Sequence, residues 1–150
     1  MISTSTMVNG TQDIFAADDR LFYASSHQYP CYPGTGSERE SGRGNIVNAE
    51  LPPGAGSAEF QAAYSGRILP ALRAFQPQLL LISAGFDADA RDPLAHLRLK
   101  TSDFAWVTRE LMAAARASCQ GRVVSVLEGG YDLTALGEDS AAHMAALMAG

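Results

Sequence analysis

The sequence predicts an α/β domain built on a parallel sheet, and three observations carry that expectation. Leu79, Leu80, Leu81 and Ile82, following Pro77, form the kind of apolar run found in a strand buried on both faces. Arg122 to Leu127, RVVSVL, is a second buried run, and both break abruptly into small residues, SAG after the first and EGG after the second. Stretches with helical spacing of apolar residues alternate with these runs, which implies parallel pairing with right-handed crossovers. Strands so paired end at one edge of a sheet, where open α/β sheets keep their ligands. The stretch Leu79 to Leu94, LLLISAGFDADARDPL, delivers Asp87 to that edge.

The elements follow in order. Met1 to Val8, MISTSTMV, is hydroxyl-rich and uncharged, as in a frayed terminus or a broken strand. The Asn9-Gly10 pair makes Asn9 to Asp13 a turn. Leu21 to Ser26, LFYASS, has aromatic strand formers and stops at His27. Gln28 to Gly44 is dense in Pro, Gly and charge, a long loop of the length that usually has a task. Asn45 to Leu51 is a short strand closed by Pro52, Pro53 and Gly54. Ser57 is placed to cap a helix from Ala58 to Phe75, with Phe60, Tyr64, Ile68, Leu69 and Leu72 on one face, and Pro70 is expected to kink or divide it. Thr101 or Ser102 caps the next helix, with Asp103 in its first turn and Phe104, Val107, Leu111, Met112 and Ala115 as its buried stripe. Gly121 stops it. The last helix runs from about Ala135 to Ala149, with apolar positions at Leu136, Met144, Leu147 and Met148.

The 150 residues are one domain's length, enough to bury roughly 68 to 70 per cent of the unfolded chain's surface. Hydrophobic residues at 47% and charged ones at 18% place the chain in the globular class. A net charge of -5 and a single lysine, Lys100, argue against a nucleic-acid binder held by phosphate contacts. Cys31 and Cys119 lie far apart without CxxC spacing, which argues against a disulfide framework or a cysteine zinc site. No apolar run approaches the length of a membrane span, and Met1 to Val8 lacks the form of a signal peptide. A soluble protein of the cytoplasm is the expectation.

Gly129-Gly130-Tyr131 sets a phenol on a low-bulk turn where a backbone can approach a ligand and the hydroxyl can donate to an oxyanion; the plain alternative is a Tyr packed over a helix start. Asp87 is a metal ligand or a turn acid, Asp89 and Asp92 add negative charge nearby, and Asp92-Pro93 initiates a turn. Of the histidines, His27 at a strand end is the most interesting for metal work, His96 lies in the acidic loop and His143 reads as surface or core filling; none has an i, i+4 partner. Gly34, Gly36, Gly42 and Gly44 fit neither the dinucleotide nor the P-loop pattern, so a structural loop is the better reading. Gly-x-Ser-x-Gly is absent, and neither cysteine has an activating local setting.

Taken together, NGTQDIF (Asn9 to Phe15), SSHQYPCYPGTG (Ser25 to Gly36), SAGFDADARDPL (Ser83 to Leu94) and LEGGYDL (Leu127 to Leu133) resemble the histone deacetylase family, in its order and spacing. The likeness is to bacterial and class II-like members, which include acetylpolyamine amidohydrolases. It implies an arginase/deacetylase-like three-layer α/β fold with a parallel central sheet. It also implies zinc-dependent hydrolysis of an acetyl-lysine, an acetylated polyamine or another small amide to a free amine and acetate. The chain looks like the C-terminal part of such a domain, residues 9–150, behind a non-matching segment, residues 1–8. By the resemblance, Asp87 matches a zinc ligand and Tyr131 the tyrosine that steadies the oxyanion. Tyr32 matches an aromatic wall of the acyl-lysine tunnel, which Gly129 and Gly130 help to line. Ser25 and the carbonyl of Ser26 match ligands of a monovalent cation, with potassium the candidate, and Phe15, Asp18 and Leu21 lie near a second such site.

The resemblance also exposes a departure. The family's Asp-x-Asp-x-His-His-Gly stretch, which supplies two further zinc ligands, is replaced here by Thr4 and Thr6 at the ligand positions and by Met7 and Val8 before Asn9. The paired general-base histidines have no counterpart, and Asp89 stands where relatives commonly carry His. Neutral hydroxyls do not replace a carboxylate and an imidazole around zinc, so the chain alone is expected to bind zinc weakly or not at all and to turn over little or no substrate. Either a truncated product of an active ancestor or a noncatalytic module that pairs with another chain meets these facts. In both, missing strands leave an apolar patch prone to self-association.

Overall fold

The computed structural model describes residues 9–32, 34–94 and 96–150. The reading of residues 1–8, with Thr4, Thr6, Met7 and Val8, lies outside them. In chain order the elements are helix α1 (Asn9–Phe15), strands β1 (Tyr23–Gln28) and β2 (Ile46–Leu51), helix α2 (Ser57–Ala63), a π-helical turn (Tyr64–Ile68), helix α3 (Leu69–Phe75), strand β3 (Leu80–Ala84), helix α4 (Thr101–Cys119), strand β4 (Val123–Leu127) and helix α5 (Leu133–Met148). β1 pairs with β2 in parallel, Tyr23 opposite Ile46 through Gln28 opposite Leu51. β3 pairs with β4 in parallel, Leu80 opposite Val123 through Ala84 opposite Leu127. Among the described residues these are two separate two-stranded sheets.

The core is built where the periodicity placed it. Phe60, Tyr64, Ile68, Leu69 and Leu72 are all buried, and so are Phe104, Val107, Leu111, Met112 and Ala115 of α4. Phe60, Tyr64 and Trp106 form an aromatic cluster with centroids 4.8 to 6.3 Å apart. The run from 57 to 75 is divided just ahead of Pro70, as expected: α2 gives way to the π-helical turn and then to α3, with Leu69 N bonded to Tyr64 O across five residues. Proline has no N–H to give and its ring crowds the carbonyl four residues back, and a wider turn accommodates both.

Several expectations change. Asn9 to Asp13 is helical, not a turn: the buried Gln12 side chain is held by Asn48 and Glu40, and this tertiary anchoring overrides the local Asn-Gly signal. The cap of α4 is Lys100, whose backbone N–H donates to Asp103 Oδ2 at 3.0 Å, while the Thr101 hydroxyl is spent on Asp139 at 2.6 Å. β3 and β4 are not buried on both faces. Leu79, Leu81, Val124 and Val126 are all exposed, because no layer of described residues covers that side of the sheet. On α5 the inward positions are Ala135, Asp139, His143 and Ala146, whereas Met144 and Met148 face outward. α5 is turned by its polar anchors rather than by its methionines.

Candidate functional site

The site begins at the carboxyl ends of β3 and β4. Their pairing continues past the strands through Glu128 N to Ala84 O (2.9 Å) and Phe86 N to Gly129 O (2.8 Å), so SAGFD and EGGYD leave the sheet side by side. Phe86 turns into the core against Phe104, ring centroids 5.3 Å apart, and the next residue, Asp87, is only 4% exposed. Its carboxylate lies over Gly129, where a Cβ would stand 2.8 Å from both Cγ and Oδ2. Glycine is therefore required there by a close approach. Gly130 is required by its backbone, with φ of 138°, and by Leu136 and Phe86, which a Cβ would meet at 3.0 and 3.2 Å.

Tyr131 follows, with 57% of its surface exposed. Its backbone N–H donates to Asp92 Oδ2 at 2.7 Å, while Asp92 Oδ1 accepts from Leu94 N at 2.9 Å. Asp92 does initiate the turn its Pro neighbour signalled, and its second oxygen pins the tyrosine loop. Asp132 then caps α5 through Ala135 N, 2.7 Å away. Asp89 is buried and paired with Arg91 (Nε to Oδ1, 2.8 Å), which also reaches Glu138 at 2.7 Å. These bonds keep the Arg91 guanidinium firmly protonated. Asp139, next to this cluster, is pushed up to about 6 by burial, with the Thr101 hydrogen bond opposing.

The glycine-rich loop is structural, as its pattern indicated. Glu40 accepts from Gly36 N with both oxygens (3.1 and 3.0 Å), from Ser37 N and from the Gln12 amide. Burial alone would raise the Glu40 carboxyl; these donors outweigh it and hold the group below its usual range. His27 belongs to the same network and not to a metal. Its Nε2 lies 2.9 Å from the Gly36 carbonyl, which can only accept, so Nε2 carries the proton and Nδ1 accepts from the Ser25 hydroxyl at 3.0 Å. Burial lowers its pKa. His143 is core: Thr108 donates to Phe104 O, so its oxygen accepts from His143 Nδ1, and Ser125 donates to Nε2. His96 is exposed. Tyr32 stands on a separate turn, 80% exposed, closed by Gly34 N to Cys31 O.

For zinc, the described residues do not make a complete donor set. No cluster of three His, Cys, Asp or Glu among them stands close enough to hold a metal ion, and Asp87 is a single carboxylate. Of the candidate cation ligands, Ser25 and Ser26 are buried on β1. The carbonyls of Phe15, Asp18 and Leu21 do converge, but on the side-chain nitrogen of Asn45, at 2.8, 3.0 and 2.7 Å. That cradle is filled by an amide and does not fit a cation in this arrangement. Among the described residues no helix is long and apolar enough to cross a membrane.

The histone deacetylase domain matches residues 7–147. The chain belongs to the histone deacetylase family. It is 43% identical over 129 residues to a probable deacetylase of Archaeoglobus fulgidus, a match covering 83% of this chain and 36% of that protein. It is 41% identical over 128 residues to the histone deacetylase-like amidohydrolase of Pseudomonas aeruginosa, covering 82% of this chain and 34% of that one. The crystal structure of the HDA15 HD domain superimposes with a TM-score of 0.90 at 32% identity, over 97% of this chain and 42% of that one. The fold is thus the α/β fold of histone deacetylase domains, and the chain spans about a third of the length of the two curated relatives. Gln12 and Asn45 are the supporting residues that sequence reasoning missed, and neither carried a local signal; Asp92 was marked by its position before Pro93, though its bond to the Tyr131 loop was not.

Proposed function

We propose that this histone deacetylase-family chain carries one half of a zinc-dependent amidohydrolase site that removes acetyl groups from acetyl-lysine or an acetylated amine. What supports it is the joined exit of β3 and β4, which sets Asp87 and the Tyr131 loop beside each other. In an assembled domain Asp87 is one metal ligand. The Tyr131 phenol donates to the amide oxygen as it gains charge, a contribution made mainly in the transition state. Gly129 and Gly130 let the acyl chain approach the backbone, and Tyr32 walls it. No group able to hold a metal stands among the described residues and Thr4 and Thr6 occupy the matching ligand positions, so this chain by itself is expected to show little or no turnover.

The test is hydrolysis of an acetyl-lysine peptide with added zinc. It compares this chain with a chimera in which residues 9–150 follow the preceding part of the Archaeoglobus domain. The chimera is expected to release acetate and this chain to release little. Tyr131→Phe in the chimera should lower kcat roughly 10² to 10³-fold, and Asp87→Ala should lower its zinc content. A fully active Tyr131→Phe chimera overturns the role of the phenol, and unchanged zinc in Asp87→Ala overturns the ligand. The exposed apolar face of β3 and β4 favours a second reading, a noncatalytic module that pairs with another chain; a chimera that folds but never hydrolyses the peptide supports it.

A further inference from the structure

The turn between α1 and β1 aims three main-chain carbonyls at one point. Phe15, Asp18 and Leu21 are spaced by three, and two successive bonds, Asp18 N to Phe15 O and Leu21 N to Asp18 O, both 3.1 Å, wind the chain so that the oxygens face inward. Three carbonyl dipoles with their negative ends together repel unless something positive sits among them. In this protein that is Asn45 Nδ2, within 2.7 to 3.0 Å of all three. Its orientation is fixed independently: Asn45 Oδ1 accepts from Arg43 N at 3.0 Å, and a flipped amide would set oxygen against three oxygens. The residue is 4% exposed, and its main-chain carbonyl receives Tyr23 N at 2.9 Å at the start of β1. Gly42, with φ of 56°, closes the site, since a Cβ there would stand 2.8 Å from Asn45 Oδ1.

We infer that the Asn45 amide takes the place of a monovalent cation, so that the 15–21 turn is held without one. Two amide protons shared by three acceptors supply the positive charge density that a dehydrated ion supplies elsewhere, with no ion to lose and no cost of stripping its water. The inference is independent of the deacetylase reading, because it concerns a main-chain cradle and not the catalytic groups.

Amide hydrogen exchange of the peptide spanning residues 15–21 tests it, measured on the full chain in KCl and in N-methylglucamine chloride at equal ionic strength. The wild type should show the same protection in both salts. Asn45→Ala should lose about tenfold in the large-cation salt, the scale of one or two lost hydrogen bonds, and regain most of it in KCl as potassium enters the vacated cradle. Potassium-dependent protection of this peptide in the wild type overturns the inference, since the ion would then displace the amide. So does a loss in Asn45→Ala that KCl does not restore, or no loss at all. If Asn45→Ala fails to fold in either salt, the wild-type comparison still decides, with Asn45→Ser as the milder variant.

Discussion

The carboxyl of Asp139 is fully buried on α5 and held by one strong donor, the Thr101 hydroxyl at 2.6 Å. Burial raises it to about 6, the Thr101 bond opposes that, the nearby Asp89 charge adds to it, and Arg91 at 3.9 Å offsets part. A carboxyl raised from 3.8 to about 6 takes up its proton more readily folded than unfolded. Its favourable contribution is therefore complete below the unfolded value and is lost as pH rises through the folded one. The difference corresponds to about 3 kcal/mol. Urea midpoints of the wild type and Asp139→Asn between pH 4 and 7 should diverge accordingly, the wild type losing stability relative to the variant as pH rises. Parallel curves would show that the buried carboxyl titrates normally. Asp139 was invisible in the sequence, where an acid beside Glu138 gives no sign of its burial.

At the level of elements, α5 starts where EGGYD ends, and Asp132 joins the two. Asp132→Ala removes the acceptor for Ala135 N and should cost about 1 kcal/mol, read as a lower melting temperature with the rest of the chain intact; an unchanged melt would mean that the cap is replaced by water. The α2 to α3 run and α4 were legible because their apolar residues recur at helical spacing over long stretches. α5 was half legible: its extent is close to the expectation and Leu136 and Leu147 do pack against the core, but Met144 and Met148 face outward and the fully buried positions are alanine with Asp139 and His143. Asp87 and Tyr131 could be placed because each follows an apolar run at a strand end. Asn45 and Gln12 could not, because their partners lie 24 to 36 residues away and contact at that separation leaves no local trace.

For the molecule as a whole, the outward side of β3 and β4 bears Leu79, Leu81, Val124 and Val126, which alternate onto one face and are all exposed. A patch of this kind drives association unless another layer covers it. Light scattering behind size exclusion should show the chain growing in mass with concentration, and Val126→Lys, on the exposed face, should shift it toward the monomer. A wild type that remains monomeric at all concentrations would argue against association through this face. The feature with the widest reach is smaller. One carboxylate, Asp92, receives Leu94 N with one oxygen and Tyr131 N with the other, so two hairpin-like excursions share a single rivet. Their lengths are thereby coupled, and descendants of this gene should keep both spans, 85 to 94 and 128 to 132, free of inserted residues.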